Sequence, residues 1–235
     1  MLNHNQYLSF PGLQQMDGPT PDHYGRRDRI VIENSLIYCW EHLVLPTLQI
    51  IIGSTRPGRV GTAVAHWFAD RAKASELFDI EIIDLADVDL PLMNEPHHPK
   101  LGKYTHDHTK RWSQTIQRGD AYVFVVPEYN YGFNAATKNA LDYLHAEWAD
   151  KPVGFVSYGG VAGGTRAVQM LKQVVTTLRM VPVFESVNIP FVQQYLEDGG
   201  SFAATSLMDE AADAMLGEID RWSTASSQMR SERVR

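Results

Sequence analysis

The run Leu48-Gln49-Ile50-Ile51-Ile52 passes directly into Gly53-Ser54-Thr55-Arg56-Pro57-Gly58-Arg59-Val60-Gly61, after which Val60, Val64, Trp67, Phe68 and Arg71 recur at helical spacing. A buried strand that stops at a glycine and turns at once into a helix commits the chain to a strand-loop-helix unit. Such units assemble as a parallel sheet with right-handed crossovers. The loop also carries chemistry. The first N–H groups of a helix have no intrahelical acceptor and stand at the positive end of its dipole, where an anion is their natural partner. Ser54 and Thr55 add hydroxyls, and Arg56 and Arg59 add guanidinium groups able to grip a phosphate through paired hydrogen bonds. A Walker loop needs Lys and then Ser or Thr where Arg59 and Val60 stand, which argues against a nucleotide triphosphatase. The dinucleotide fingerprint needs a glycine where Thr55 stands. Taken alone, the loop is also compatible with an ordinary strand-to-helix turn.

The rest of the chain repeats the unit. Phe78 to Leu85, Ala121 to Val126, Val153 to Tyr158 and Val181 to Val187 read as four further strands, with helices expected around Thr109 to Arg118, after Thr165 as cap, and from a capping box at Ser206 and Asp209. Five strands suit the doubly wound order 2-1-3-4-5, in which a ligand lies beyond the carboxyl ends of the strands at the switch point between the first and third. Asp87 to His108, broken by Pro91, Pro96 and Pro99, reads as a long loop. Residues 1–45 read as an irregular extension, with a mobile polar arm to about residue 28. The domain proper is expected over 46–223, and the polar, basic residues 224–235 read as a disordered tail.

Composition narrows the function. A length of 235 residues with 44% hydrophobic content suits one domain with extensions. A net charge of -7 argues against nucleic acid as partner, so the Arg56/Arg59 pair points to a small anion. The single cysteine, Cys39, permits no internal disulfide, no Cys-x-x-Cys pair and no iron-sulfur cluster. Redox chemistry would have to come from a bound organic cofactor. No stretch approaches a membrane span and no secretory signal is present, so a cytoplasmic protein is the expectation.

Two further loops fall at strand ends. Pro127-Glu128-Tyr129-Asn130-Tyr131-Gly132-Phe133-Asn134 gathers three aromatics and two amides, a composition suited to a planar heteroaromatic ring but also to a turn packed in the core or at a subunit contact. Tyr158-Gly159-Gly160 lets main chain approach a flat ligand edge, or is a plain flexible turn. Glu128 reads as a polar contact or a helix-facing group rather than a general base. His97, His98, His106 and His108 invite a metal reading, which a proline-broken loop without cysteine does not favour, and His66 reads as structural.

In combination, Gly-Ser-Thr-Arg-Pro-Gly-Arg at 53–59, Pro-Glu-Tyr-Asn at 127–130 followed by Lys138-Asn139-Ala140-Leu141-Asp142, and Ser157-Tyr158-Gly159-Gly160 resemble the NADPH-dependent FMN reductase family. That group is flavodoxin-like and includes quinone, azo-dye and chromate reductases. The resemblance implies that Ser54, Arg56 and the turn Arg59-Val60-Gly61 hold the FMN phosphate. It implies that Pro127, Glu128, Tyr129, Asn130 and Tyr131 border the isoalloxazine, and that Gly159 and Gly160, beside Tyr158, face its pyrimidine edge. Many members carry Ser or Asn late in the first loop; here Val60-Gly61 leaves backbone N–H groups to replace that side chain. Lys138, Asn139 and Asp142 are expected to brace their helix. The resemblance further implies ping-pong transfer of hydride from NADPH or NADH to FMN and on to a small-molecule acceptor, in a homodimer or homotetramer. A non-enzymatic flavodoxin-like electron carrier is the alternative, disfavoured by Arg56 and Arg59.

Overall fold

A computed structural model describes residues 45–233. The extension expected over residues 1–45 lies outside the described residues apart from Leu45.

Strand β1 (Thr47–Ile52) leads into α1 (Gly61–Ala74), β2 (Asp79–Asp84), a short α2 (Leu85–Val88), α3 (Asp107–Arg118) and β3 (Ala121–Tyr129). After β4 (Gly132–Phe133) come α4 (Ala135–Asp142), β5 (Pro152–Tyr158), α5 (Thr165–Thr177), β6 (Val181–Pro182), β7 (Val187–Ile189) and α6 (Ser206–Arg233). The main sheet has the order β2-β1-β3-β5-β6 and is parallel throughout, with β7 also on β5 and β4 folded back antiparallel on β3. Counting β6 and β7 as one interrupted edge strand gives the expected flavodoxin-like order 2-1-3-4-5.

The pleat sorts the strands onto two cores. Leu48, Ile50 and Ile52 with Val123 and Val125 face α1 and α6 through Val64, Phe68, Met215 and Ile219. Ile51, Tyr122, Phe124 and Phe155 face α3, α4 and α5 through Trp112, Ile116, Leu141, Leu171 and Val175. Both faces of β1, β3 and β5 are thereby buried, which is why they read as continuous apolar runs.

Three local expectations change. The edge strand breaks because Val153 pairs with Pro182 and Val156 with Val187, so the outer strand holds two more residues than β5 over the same span. The surplus bulges outward, leaving Phe184 89% exposed. The caps shift as well. Gly164, in left-handed conformation, precedes α5, and the Thr165 hydroxyl donates to the Ala162 carbonyl. At α6 the Thr205 hydroxyl accepts from the Met208 N–H, one residue ahead of the expected Ser206 cap. Where the tail from residue 224 reads as disordered, α6 continues to Arg233, with Ser223 and Ser226 buried and Arg230 donating to the Asp150 carbonyl and the Asp120 carboxylate. Buried small serines and an arginine that reaches the residues just before β3 and β5 fix this end of the helix, a fit invisible to a reading based on polarity.

Candidate cofactor site

Gly53 extends the β1 ladder by donating to the Val125 carbonyl, and its own carbonyl accepts the Asn134 amide at 2.5 Å. Thr137 fixes that amide by donating to Asn134 Oδ1, so the start of α4 clamps the first loop. A β-carbon at Gly53 would fall 2.4 Å from Thr137 Oγ1, which rules out any side chain. Asn134 is therefore part of the scaffold, not one of the amides expected to reach a ring.

Beyond this clamp, a cleft of about 130 Å³ is lined by Ser54, Arg56, Arg59, Val60, Pro127, Glu128, Tyr129, Tyr158, Gly159, Val192 and Gln193. The three loops picked out in the sequence thus converge at the carboxyl ends of β1, β3 and β5. Ser54 is buried, its hydroxyl 3.1 Å from that of Tyr129. The two arginines part company. Arg59 is half-buried and ion-paired with Asp84 at the end of β2, whereas Arg56 is exposed at the cleft and enters no ion pair among the described residues. One end of the Arg59 guanidinium is thus committed to Asp84 while its Nε has no hydrogen-bond partner among the described residues, and Arg56 is the cation without an ion pair among them.

At the second loop, β3 runs on through Pro127 and turns at Asn130 and Tyr131 into β4. Both turn residues have positive φ, +49° and +69°, as a two-residue hairpin requires. Asn130 and Tyr131 are consequently exposed and outside the cleft lining. Glu128 takes the helix-facing role: its carboxylate accepts the backbone N–H of Arg166 and its guanidinium at 2.9 Å. That guanidinium also lies 4.1 Å from the centre of the Tyr131 ring, pinning the hairpin to α5. Gly61 lies at the first residue of α1 and is buried, while the Gly160 carbonyl accepts the Phe191 and Gly163 N–H groups rather than lining the cleft.

Val192 and Gln193 were missed by the sequence reading. They arrive on a turn zipped to the third loop by Gly159 N–H to the Ile189 carbonyl, Phe191 N–H to Gly160 and Val192 N–H to Gly159. These bonds are all backbone, so no side-chain motif marks the segment.

The cleft fits a phosphorylated, partly planar ligand. Helix α1 has no side-chain cap hydrogen bond, leaving its first-turn N–H groups for an anion. Among the described residues the Tyr158 hydroxyl is buried with no well-formed hydrogen bond. Burial, opposed more weakly by Ser54, Arg56 and Arg59, holds that phenol above its ordinary pKa. Elsewhere, the His106 and His108 rings stack with centroids 5.1 Å apart, both against Asn94, and among the described residues no group of three or more His, Cys, Asp or Glu is placed to hold a metal ion. Lys138 pairs with Asp142, and Asn139 ties α4 to the Pro91 carbonyl and the Met93 N–H. No helix among the described residues is long and apolar enough to cross a membrane.

Comparison with known proteins identifies the family. Residues 46–194 match the sequence profile of the NADPH-dependent FMN reductase family. An NAD(P)H-dependent FMN reductase of Schizosaccharomyces pombe is 41% identical over 151 residues, covering 63% of this chain and 75% of its own. Another from Nectria sp is 35% identical over 177 residues, covering 73% and 83%. Among solved structures, the flavoenzyme NAD(P)H:(acceptor) oxidoreductase FerB of Paracoccus denitrificans superposes with a TM-score of 0.61 at 22% identity, over 75% of this chain and 98% of that one, a likeness of fold. With the family profile spanning more than half of its length and the three loops gathered on one cleft, the chain belongs to the NADPH-dependent FMN reductase family.

Proposed function

We propose that this chain is an FMN-dependent NAD(P)H oxidoreductase that passes electrons to a quinone, azo compound, metal oxyanion or free flavin. The observation that carries the reading is one end of the cleft, where Arg56 and the Tyr158 hydroxyl, both without a partner among the described residues, meet the start of α1, which has no side-chain cap. FMN bound there would take a hydride from NAD(P)H and return two electrons to the second substrate, in ping-pong order.

The chain's own residues place and insulate that chemistry. Arg56, the Ser54 hydroxyl and the first N–H groups of α1 hold the phosphate. Pro127, Tyr129 and Gly159 wall the ring. The Arg166 partner offsets the charge of Glu128, so no bare carboxylate faces the ring's electron-rich reduced form. Reduction of a quinone by NAD(P)H draws its proton from solvent, and no side chain in the cleft is assigned as acid or base. Assembly as a homodimer or homotetramer, and a place in the cytoplasm, belong to the same reading.

The test is a fluorescence-quenching titration of apoprotein with FMN and riboflavin. Arg56→Ala removes a charge-assisted pair, so FMN affinity falls roughly 30-fold, about 2 kcal/mol, while riboflavin binding stays unchanged. An unchanged FMN dissociation constant would sink the assignment of this loop. Sustained NADPH oxidation with a quinone separates an enzyme from an electron carrier.

A further inference from the structure

The first loop closes with Val60-Gly61, which bring no side-chain donor to the start of α1. A donor nevertheless stands there, supplied by the neighbouring strand. The Tyr158 hydroxyl sits so close over Gly61 that a β-carbon at that residue would lie 2.6 Å from it. Tyr158 is 5% exposed, lines the cleft, and its hydroxyl makes no well-formed hydrogen bond among the described residues. The Ser54 hydroxyl acts on the phenol's ionisation as a neighbouring hydrogen-bonding group, but its well-formed contact is with the Tyr129 hydroxyl, 3.1 Å away.

A buried phenol with no acceptor is unsatisfied, and a protonated phenol can donate one hydrogen bond. Among the described residues its hydrogen-bonding neighbour is the Ser54 hydroxyl, which is engaged with Tyr129 and forms no well-made bond with the phenol, so a ligand acceptor would satisfy it. At the head of α1, beside Arg56, that acceptor is anionic. We propose that Tyr158 is the phosphate-selecting residue of this cleft: its hydroxyl donates to the terminal phosphate at the point where Val60 and Gly61 supply no side-chain donor. The inference rests on the FMN reading above and gives the identity of Gly61 a cause. The space its side chain would fill is occupied by the donor oxygen.

The geometry provides a rescue experiment. Removing the phenol oxygen leaves a β-carbon at residue 61 only ordinary contacts, 3.5 Å from Ile52 Cγ2 and from Tyr158 Cζ. A serine there could then restore a hydroxyl at the helix start. Apoproteins of wild type, Tyr158→Phe, Gly61→Ser and the double variant are titrated with FMN and with riboflavin. Tyr158→Phe should raise the FMN dissociation constant roughly tenfold and leave riboflavin within about twofold. Gly61→Ser alone, pressed against the phenol, should lose at least as much. The double variant should return to within about threefold of wild type for FMN. An unchanged FMN constant in Tyr158→Phe, an equal loss for both flavins, or a double variant no better than Tyr158→Phe overturns the inference. A wild type that binds riboflavin as tightly as FMN removes the FMN reading itself.

Discussion

The two ends of the sheet are built on opposite terms. At the carboxyl end, the cleft keeps polar groups unspent among the described residues: Arg56 without an ion pair, Tyr158 without a well-formed hydrogen bond, α1 without a side-chain cap. At the amino end, charged groups are buried or half-buried and paired, although Trp148 Nε1 and Gln49 Oε1 beside them have no hydrogen-bond partner among the described residues. Lys151 donates to the Ile116 carbonyl at 3.1 Å and the Tyr122 hydroxyl at 2.8 Å, and Asp120 accepts from the Thr47 N–H and from Arg230. Glu147 accepts from Tyr104, Ser113 and the His145 N–H. A polar group left unpaired inside a protein costs stability, and a fully paired network adds rigidity. The difference teaches where to look for a ligand: at the end where a cation and a buried hydroxyl stand together on the wall of a cleft.

The largest expected effect comes from striking the closed end. Glu147 is buried, and Glu147→Ala strands two hydroxyls and a backbone N–H at once. The expected loss is about 3 kcal/mol, or roughly 6–12 °C in melting temperature for a domain of this size. Measured at low temperature on the folded protein, FMN affinity should stay within about twofold of wild type. A variant that lost flavin affinity in step with stability would show that the two ends are not separable.

The sequence made most of this architecture legible, and the reasons are local. Strands β1, β3 and β5 are buried on both faces and therefore announce themselves as apolar runs, and a loop that must present N–H groups and hydroxyls needs glycine, serine and arginine. What escaped depends on partners distant in sequence. Arg59 looked as available as Arg56 until folding brought Asp84 beside it, 25 residues away. Asn134 looked like a ring-reading amide until Gly53 claimed it across 81 residues. Gln193 reaches the cleft through backbone bonds alone, and the tail's helix depends on Asp120, 110 residues before Arg230.

A pH series sharpens the contrast further. Burial, reinforced by Arg230 and opposed by Asp120 and Glu147, lowers the Lys151 pKa to about 8, against about 10.4 in an unfolded chain. Between those values the unfolded state binds the extra proton, so stability contributed at this residue rises with pH and is lowest below about pH 8. Wild type should therefore gain on Lys151→Met from pH 8 to 9.5 by up to about 1.4 kcal/mol per unit, read from paired denaturant curves. A gap that stays constant with pH would mean that the ammonium is not held in a depressed state.

The smallest effect, and the one that tests the tail, concerns Arg230. Its guanidinium is partly exposed and its partner Asp120 more so, which limits the pair. Arg230→Ala should cost about 1 kcal/mol, since most exposed ion pairs contribute less and a hydrogen bond to the Asp150 carbonyl is lost as well. Arg230 also pushes on Lys151 as a neighbouring positive charge, so its removal lets the Lys151 pKa climb back toward the unfolded value. The stability difference between Arg230→Ala and Arg230→Ala/Lys151→Met should then begin to change at a higher pH than in the wild-type background, and by less in total. If the tail were a loose appendage, Arg230→Ala would leave both the melting temperature and the Lys151 titration where they were. A shift in the second without a large change in the first is a signature that only a docked helix end, with its charge beside the buried lysine, can produce.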